Sequence, residues 1–386
     1  MEGFDQSIGI YIHWPFCLNK CPYCDFNSHV RESIDQDQFL EAYFKEISNF
    51  KKLLPNSNTA SIFFGGGTPS LMEPRLVAAL IEKVLEVWPS DIVPEITLEA
   101  NPSSVEAERF RGYRDAGVNR VSLGVQALNN PDLKSLGRLH NVNEAKSALE
   151  IAKKTFSRVS FDLIYARPQQ TLENWREELS EALEMAEGHL SLYQLTIEDG
   201  TAFAQAHKKG RIILPEENLA SDLYNLTQDM CENKGLPAYE ISNHARPGEE
   251  SMHNLIYWTG GSYLGLGPGA HGRIPTRNGM MMTSLAKKPE AWLKKVEEQG
   301  TGLVEEKMLT NEERALENVM MGLRLNNGID RTDFYEKSGI YLEDIISINE
   351  AKNLEKNGFL EITPNKIKAT KKGIPVLNTI LKTVLV

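Results

Sequence analysis

The chain has 386 residues, of which 41% are hydrophobic and 25% are charged, and its formal net charge is −11. This length allows a large buried core and favours two domains over one. The negative charge argues against a nucleic-acid partner, because a nucleic-acid-binding protein normally has a basic face. No apolar run is long enough to span a membrane, and residues 1–5 are acidic and do not form a basic leader. We therefore expect a cytoplasmic protein.

The first half of the chain alternates short β-branched runs with longer amphipathic stretches. Six strands are predicted, at residues 8–13, 61–64, 95–98, 120–123, 158–163 and 190–195. Helices are predicted between them, at residues 38–53, 74–87, 104–116, 143–154 and 172–186. Six successive strand–helix units predict an α/β fold in which a parallel sheet curls into a partial (βα)6 barrel. A doubly wound sheet is the competing architecture.

Three of the four cysteines, Cys17, Cys21 and Cys24, lie close together after the first predicted strand. Thiolates at this spacing can converge on a four-iron cluster, which would leave one iron free to bind a small molecule. Zinc is an alternative, with His13 or His29 as the fourth ligand, although no second Cys/His pair follows downstream. A disulfide framework is disfavoured, because the remaining cysteine stands alone in a long chain without a secretory leader.

Each predicted strand is followed by polar or glycine-rich residues, and catalytic groups in barrels lie at the carboxyl ends of the strands. The glycine triplet 65–67 lacks the features of a phosphate loop or a dinucleotide fingerprint. It can form a tight turn or let a ligand approach bare backbone. Glu99 and Asp162 are candidate ligands for ribose hydroxyls, and ordinary capping or ion pairing would explain them equally.

The second half of the chain loses the alternation after about Leu195. A glycine-rich stretch at 264–272 is predicted to be a loop laid over the open side of the barrel or a rigid turn. From Met308 onward, helices and a short hairpin predict a winged-helix-like domain that is mostly helical. The predicted domains are therefore a barrel with the cysteine loop at 1–200, a barrel-covering extension at 201–303 and a C-terminal domain at 304–386.

The stretch from Tyr11 to Cys24, read as Tyr-Ile-His-Trp-Pro-Phe-Cys-x3-Cys-Pro-Tyr-Cys, together with Gly-Gly-Gly-Thr-Pro at 65–69, resembles the radical S-adenosylmethionine (radical SAM) superfamily. Within it, the chain resembles the branch that contains oxygen-independent coproporphyrinogen III oxidase and the HemW-type heme chaperones. The likeness extends over nearly the whole chain, and the cysteine motif is its most specific part.

This resemblance implies roles for matching residues. The [4Fe-4S] cluster would be held by Cys17, Cys21 and Cys24. A first S-adenosylmethionine would be contacted by Tyr11, Gly66 and Glu99. A second set of positions, which contacts another S-adenosylmethionine in the oxidase, is matched by Tyr23, Gly67, Thr68, Gln126, Arg138 and Asp162. Reduction of the sulfonium would yield a 5′-deoxyadenosyl radical, and the protein would orient the ligands and exclude water.

Two departures from the oxidase separate the members of this branch. The oxidase has a further cysteine two residues after the third, where this chain has Asp25-Phe26, and a longer extension before the cluster. The stretch His253-Asn-Leu-Ile-Tyr257-Trp258 matches the HNxxYW signature of the heme chaperones, although a histidine packed under aromatic rings is the plainer interpretation. His253, Tyr257 and Trp258 are therefore candidate heme contacts.

The resemblance thus implies a heme chaperone that carries heme as cargo and delivers it to recipient heme proteins, including respiratory enzymes and recipients at the membrane. The alternative is oxidative decarboxylation of coproporphyrinogen III, so whether the chain is an enzyme stays open at this point.

Overall fold

The computed structural model describes residues 7–385, so the acidic stretch 1–5 lies outside the described residues. Its strands, in chain order, are β1 (Ser7–Trp14), β2 (Phe16–Cys17), β3 (His29–Val30), β4 (Asn58–Gly66), β5 (Glu95–Ala100), β6 (Arg120–Gln126), β7 (Arg158–Tyr165), β8 (His189–Gln194), β9 (Asn243–Ala245), β10 (Tyr263–Leu266), β11 (His271–Thr276), β12 (Gly279–Leu285), β13 (Leu303–Met308), β14 (Ile329–Asp330), β15 (Leu360–Ile362) and β16 (Lys366–Ala369).

The α-helices, in chain order, are α1 (Gln36–Phe50), α2 (Pro74–Val87), α3 (Ser104–Ala107), α4 (Phe110–Asp115), α5 (Asn130–Ser135), α6 (Val142–Thr155), α7 (Leu172–Met185), α8 (Ala202–Lys208), α9 (Glu217–Asn233), α10 (Met252–Trp258), α11 (Pro289–Gln299), α12 (Asn311–Gly322), α13 (Arg331–Ser338), α14 (Leu342–Ile345), α15 (Ile348–Lys356) and α16 (Leu377–Val384). Two short 3-10 helices cover Pro69–Leu71 and Ile374–Val376. Of the described helices, none has the length and apolar character needed to cross a membrane.

The main sheet contains the predicted parallel barrel. Its strand order is β13-β12-β11-β10-β1-β4-β5-β6-β7-β8-β9. The six parallel strands β1 and β4 to β8 lie side by side in the order in which they occur along the chain, whereas a doubly wound sheet reverses its order at a switch point. The α/β barrel prediction is therefore confirmed, and each of its six predicted strands is present.

The helices between these strands follow their amphipathic patterns. Helix α2 has the predicted bounds, with Pro74 at its first turn, where a missing backbone N–H costs nothing. The predicted helix 104–116 is instead divided into α3 and α4. A tighter turn separates them, in which the Arg109 N–H bonds to the Glu106 carbonyl at 3.0 Å.

The expectation of a loop or rigid turn at residues 264–272 holds only for the turn at 267–270, because the stretch begins with a strand that extends the main sheet and ends in the next strand. Strand β10 pairs in parallel with β1, and Tyr11 lies opposite Gly265. A Cβ atom at position 265 would lie 2.1 Å from the His271 carbonyl oxygen, so glycine lets the chain fold back closely into β11. Leu264 and Leu266 are fully buried beside the barrel core, which also includes Trp292 and Val296. The predicted extension 201–303 therefore shares its core with the barrel.

The last part of the chain is mostly helical and forms a second hydrophobic core. Helices α12 to α16 pack with a three-stranded sheet of order β14-β16-β15, around Val319, Phe334 and Ile380. A Thr310 capping box begins α12, as the sequence pattern predicts. This arrangement confirms a smaller, mostly helical C-terminal domain after the barrel.

Candidate functional site

A cavity of about 420 Å³ lies at the carboxyl ends of the parallel strands. It brings together most of the residues that the sequence analysis predicted for the cofactor site. The predicted residues in its lining are Cys17, Cys21, Tyr23, Cys24, Gly66, Gly67, Thr68, Glu99, Gln126, Arg138 and Asp162. Tyr11 is not part of this lining, because its ring stacks against Phe63 and His253 and its hydroxyl bonds to His13 Nδ1 at 3.0 Å.

The cysteine loop is held in place at its base and at its tip. Strands β2 and β3 pair in parallel, with Cys17 opposite Val30, and the Cys24 N–H closes a turn on the Cys21 carbonyl at 3.1 Å. The amide of Asn27 donates to the carbonyls of Pro268 and Lys287, both at 2.9 Å, which joins the loop to the second half of the chain. The three thiols thus reach one cavity from a constrained loop.

The donor set at this loop suits a sulfur-ligated cluster. Burial raises the pKa of the Cys17 and Cys24 thiols, and the neighbouring thiols add to the effect, so deprotonation there is coupled to binding of a cation. The two histidines considered as zinc ligands are absent from the cavity lining. Both nitrogens of His13 are engaged, by Tyr11 and by the Asn27 carbonyl at 2.9 Å, and His29 Nε2 bonds to Asn27 Oδ1 at 3.2 Å. Between residues 7 and 385, no group of three or more His, Cys, Asp or Glu side chains is arranged to hold a single metal ion.

The glycine triplet allows β4 to approach the cysteine loop closely. Gly66 has a φ of +114°, and a Cβ atom there would lie 2.6 Å from the His13 ring. The N–H of Gly66 donates to Glu99 Oε2 at 3.3 Å, and Thr68 Oγ1 donates to the Cys17 sulfur at 3.5 Å. The backbone of the triplet therefore positions the Glu99 carboxylate, and the Thr68 side chain that follows it positions the Cys17 thiol.

Two carboxylates lie in the cavity wall. Burial raises the pKa of Glu99 to about 8, and the nearby Asp162 charge adds to this rise. Burial also raises the pKa of Asp162, whose Oδ1 accepts a hydrogen bond from Ser122 Oγ at 3.1 Å. A ligand that brings hydroxyl donors or a positive charge would stabilise the ionised forms of both side chains.

Arg138 connects the cysteine loop to the strand ends. Its guanidinium donates to the Cys21 sulfur at 3.3 Å, to Asn101 Oδ1 at 2.6 Å and to the Gly124 carbonyl at 2.8 Å. Gln126 adopts a positive φ of 73°, and its buried Oε1 has no hydrogen-bond partner among residues 7–385. A buried acceptor without a partner is costly unless a ligand supplies a donor.

Several other residues of the lining were not predicted as ligands, among them Asn101, Glu106, Ser122 and Tyr193. Glu106 is the clearest example. Ser103 caps α3 by accepting from the Glu106 N–H at 3.3 Å, whereas the Glu106 carboxylate accepts from the Asn101 N–H at 2.8 Å and from Ser70. A serine followed three residues later by a glutamate indicates only the start of a helix, so this local pattern does not reveal that the carboxylate lines the cavity.

The structure does not bring the HNxxYW residues to this cavity. His253 is buried, its Nδ1 pairs with Ser61 Oγ at 2.8 Å, and its Nε2 pairs with Tyr257 Oη at 2.9 Å. Burial lowers the pKa of His253 to about 3, so it is neutral. Trp258 instead lines a separate cavity of about 290 Å³ between α10 and the C-terminal domain. Heme contact by His253, Tyr257 and Trp258 therefore stays a prediction that this packing does not favour.

Comparisons with known proteins agree with this geometry. The profile of the radical SAM superfamily matches residues 11–182, and that of the HemN C-terminal domain matches residues 309–376. The heme chaperone HemW of Haemophilus influenzae is 38% identical over 340 residues, covering 86% of this chain and 86% of the relative. The mitochondrial radical S-adenosyl methionine domain-containing protein 1 of Danio rerio is 35% identical over 383 residues, covering 97% of this chain and 86% of the relative.

Among solved structures, coproporphyrinogen III oxidase (HemN) from Escherichia coli, described as a radical SAM enzyme, superposes with a TM-score of 0.81. The superposition covers 98% of this chain and 89% of the other, at 23% sequence identity. At this level of identity the likeness supports the fold.

Proposed function

The chain belongs to the radical SAM superfamily, in the family of HemW and its relatives, and from this premise we propose that it is a heme chaperone with a [4Fe-4S] cluster and an S-adenosylmethionine site. The observation that supports this most directly is the shared cavity, into which Cys17, Cys21 and Cys24 open together with Glu99 and Asp162. Its lining offers soft ligands on one side and acceptors for ribose hydroxyls on the other.

Different residues of the cavity would bind different parts of these cofactors. The three cysteines would ligate three irons and leave one for S-adenosylmethionine. Glu99 and Asp162 would accept from ribose hydroxyls, and Gln126 would offer its unpaired Oε1 to a ligand donor. Arg138 would offset thiolate charge through its contact with Cys21. When bound, the cluster supplies one electron to the sulfonium, and the cavity wall keeps water away from it.

The rim of the same cavity supports heme as the cargo. The most exposed apolar side chains of the lining are Leu18, Phe26 and Leu139, with exposed fractions of 62%, 60% and 72%. Exposed apolar side chains around a cavity are typical of binding sites. A porphyrin has a flat apolar face that such side chains can contact. Phe26 occupies the position of the oxidase's additional cysteine, which favours carriage of heme over oxidation of a porphyrinogen.

The recipients are proposed from the relatives alone. Proteins named as heme chaperones imply heme proteins that accept the cargo, and we place respiratory enzymes among them. The cytoplasmic location expected from the sequence stays a prediction, since several relatives are named as mitochondrial proteins.

Anaerobic reconstitution with iron and sulfide, followed by titration with heme, tests the proposal. We expect a Soret band that weakens in Phe26→Ser and Leu139→Ser. The control is Val93→Ser, because Val93 is also apolar and exposed but lies outside the cavity lining. A cluster-loaded protein that does not bind heme rules the chaperone out. A parallel incubation with coproporphyrinogen III, S-adenosylmethionine and reductant that yields protoporphyrinogen would establish the oxidase activity instead.

A further inference from the structure

A buried arginine lies below the cavity, on the face of the parallel strands that carries Ser122 and Asp162. Arg120 begins β6 and is only 3% exposed. Its Nη2 donates to Ser160 Oγ at 3.0 Å, and that hydroxyl donates to Ser122 Oγ at 2.9 Å. Ser122 Oγ in turn donates to Asp162 Oδ1 at 3.1 Å. Three consecutive hydrogen bonds therefore connect the guanidinium of Arg120 to a carboxylate of the cavity wall, although Arg120 is not part of the cavity lining.

The Nε side of the Arg120 guanidinium faces the carboxylate of Glu95. Arg120 Nε lies 3.9 Å from Glu95 Oε2, which also pairs with Arg158 Nη1 at 2.6 Å. The second oxygen of Glu95 accepts from the His253 N–H at 3.2 Å and from Ser251 Oγ at 3.3 Å. The same carboxylate thus anchors both Arg120 and the first turn of α10, the helix that carries the HNxxYW residues.

The charge of Arg120 acts on both cavity carboxylates. Burial raises the pKa of Glu99 and of Asp162, and the positive charge of Arg120 opposes that rise in each case. Burial lowers the pKa of His253, and the positive charge of Arg120 adds to this effect. The remaining titratable or charged groups that act on the two carboxylates are Tyr11, Arg138, Tyr193 and Tyr257, together with the hydrogen-bonding Ser191.

We propose that Arg120 is a positioning residue for the S-adenosylmethionine cavity. Through Ser160 and Ser122 it orients Asp162, and its charge balances the pair formed by Asp162 and Glu99 without touching the ligand. This inference rests on the proposed cofactor site and adds to it a residue in a layer below the cavity. It also explains why a buried charge is kept inside the barrel, where removal of one partner leaves the others uncompensated.

The charge of Arg120 should therefore affect how far Glu99 and Asp162 are ionised when the ligand binds. Ionised carboxylates accept hydrogen bonds from ribose hydroxyls and attract a sulfonium, so affinity should rise with pH as Glu99 ionises near pH 8. Loss of the Arg120 charge should move that rise to higher pH. A shift of about one pKa unit corresponds to about tenfold weaker binding below the midpoint.

The test measures binding of S-adenosylmethionine by equilibrium dialysis to the anaerobically reconstituted full-length protein, over a pH series that brackets this midpoint. Arg120→Gln should weaken binding about tenfold at neutral pH and move the pH midpoint of the rise in affinity upward. Arg120→Lys keeps the positive charge, so its pH midpoint should lie close to that of the wild type. Ser160→Ala cuts the hydroxyl connection but keeps the charge, so it should weaken binding and leave the midpoint in place.

The matched control is Arg167→Gln. Arg167 is equally buried at 3% exposed, pairs with Glu178 and lies outside the cavity lining, so its loss reports the general cost of removing a buried arginine. The same pH midpoint in wild type and Arg120→Gln overturns the inference, and so does a wild-type protein that does not bind S-adenosylmethionine. Heme titration of the same samples judges the chaperone proposal separately, because heme binding at the rim does not depend on Arg120.

Discussion

Arg138 donates a hydrogen bond from Nη1 to the sulfur of Cys21 over 3.3 Å, and thereby couples the strand ends to the cysteine loop. The same guanidinium is fixed by Asn101 and Gly124, so its position does not depend on the thiol alone. A positive donor at a cluster sulfur stabilises the reduced, more negative state of the cluster.

Replacement of Arg138 should therefore lower the reduction potential of the reconstituted cluster. We expect a clear decrease in Arg138→Met and a smaller one in Arg138→Lys, because lysine keeps the charge but loses the forked contacts. A redox titration followed by electron paramagnetic resonance measures both. Equal potentials in all three proteins would contradict a role of this hydrogen bond at the cluster.

The raised pKa of Glu99 makes the stability of the apo protein depend on pH. Because its folded pKa of about 8 lies above the value of an unfolded glutamate, ionisation is disfavoured in the fold, and stability is lost as pH rises from about 4.5 to 8. Glu99→Gln should remove this loss and exceed wild type by about 2 kcal/mol at alkaline pH, after allowance for partial solvent exposure. Urea unfolding of both apo proteins, at pH values below and above this range, measures the difference in their free energies of unfolding. If Glu99→Gln is stabilised as much at acidic pH as at alkaline pH, ionisation of Glu99 is not the cause.

Gly66 should tolerate no side chain. With a φ of +114° and a Cβ position 2.6 Å from the His13 ring, Gly66→Ala should lose about 3 kcal/mol of stability and loosen the cysteine loop. Gly200→Ala is the control, since Gly200 also has a positive φ, of +82°, but has nothing within 4 Å of the added atom. Its cost should stay near 1 kcal/mol. Thermal or urea unfolding measures both, and equal losses would mean that strain and not contact dominates at Gly66.

The histidine of the HNxxYW stretch should act mainly on stability. His253→Ala removes two buried hydrogen bonds and leaves Ser61 and Tyr257 without their partner, at a cost of about 3 kcal/mol. Tyr257→Phe removes one hydroxyl and should cost about 1 kcal/mol. Heme binding per folded molecule, measured from the Soret band, should be unchanged in both variants. A Soret band lost from a fully folded His253→Ala protein would instead identify His253 as a heme ligand.

Much of the barrel was predictable because local patterns and tertiary packing agree there. The β-branched runs become buried parallel strands, and Pro74 begins α2 where the sequence indicates. The second half was harder, since β10 is too short and glycine-rich to be recognised. It becomes a strand because the edge of β1 lies beside it.

The sequence by itself determined the family, the six parallel strands and the cysteine loop, since each depends on residues close together in the chain or on the period of one element. Only the tertiary structure decided which polar residues share the cavity. Strand register brings Glu99 and Asp162 together, and it stacks Ser122, Ser160 and Arg120 on one inner face. The tertiary structure also packs His253 against Ser61 and Glu95 and outside the lining of this cavity, because the burial of α10 is a long-range contact that no local pattern encodes.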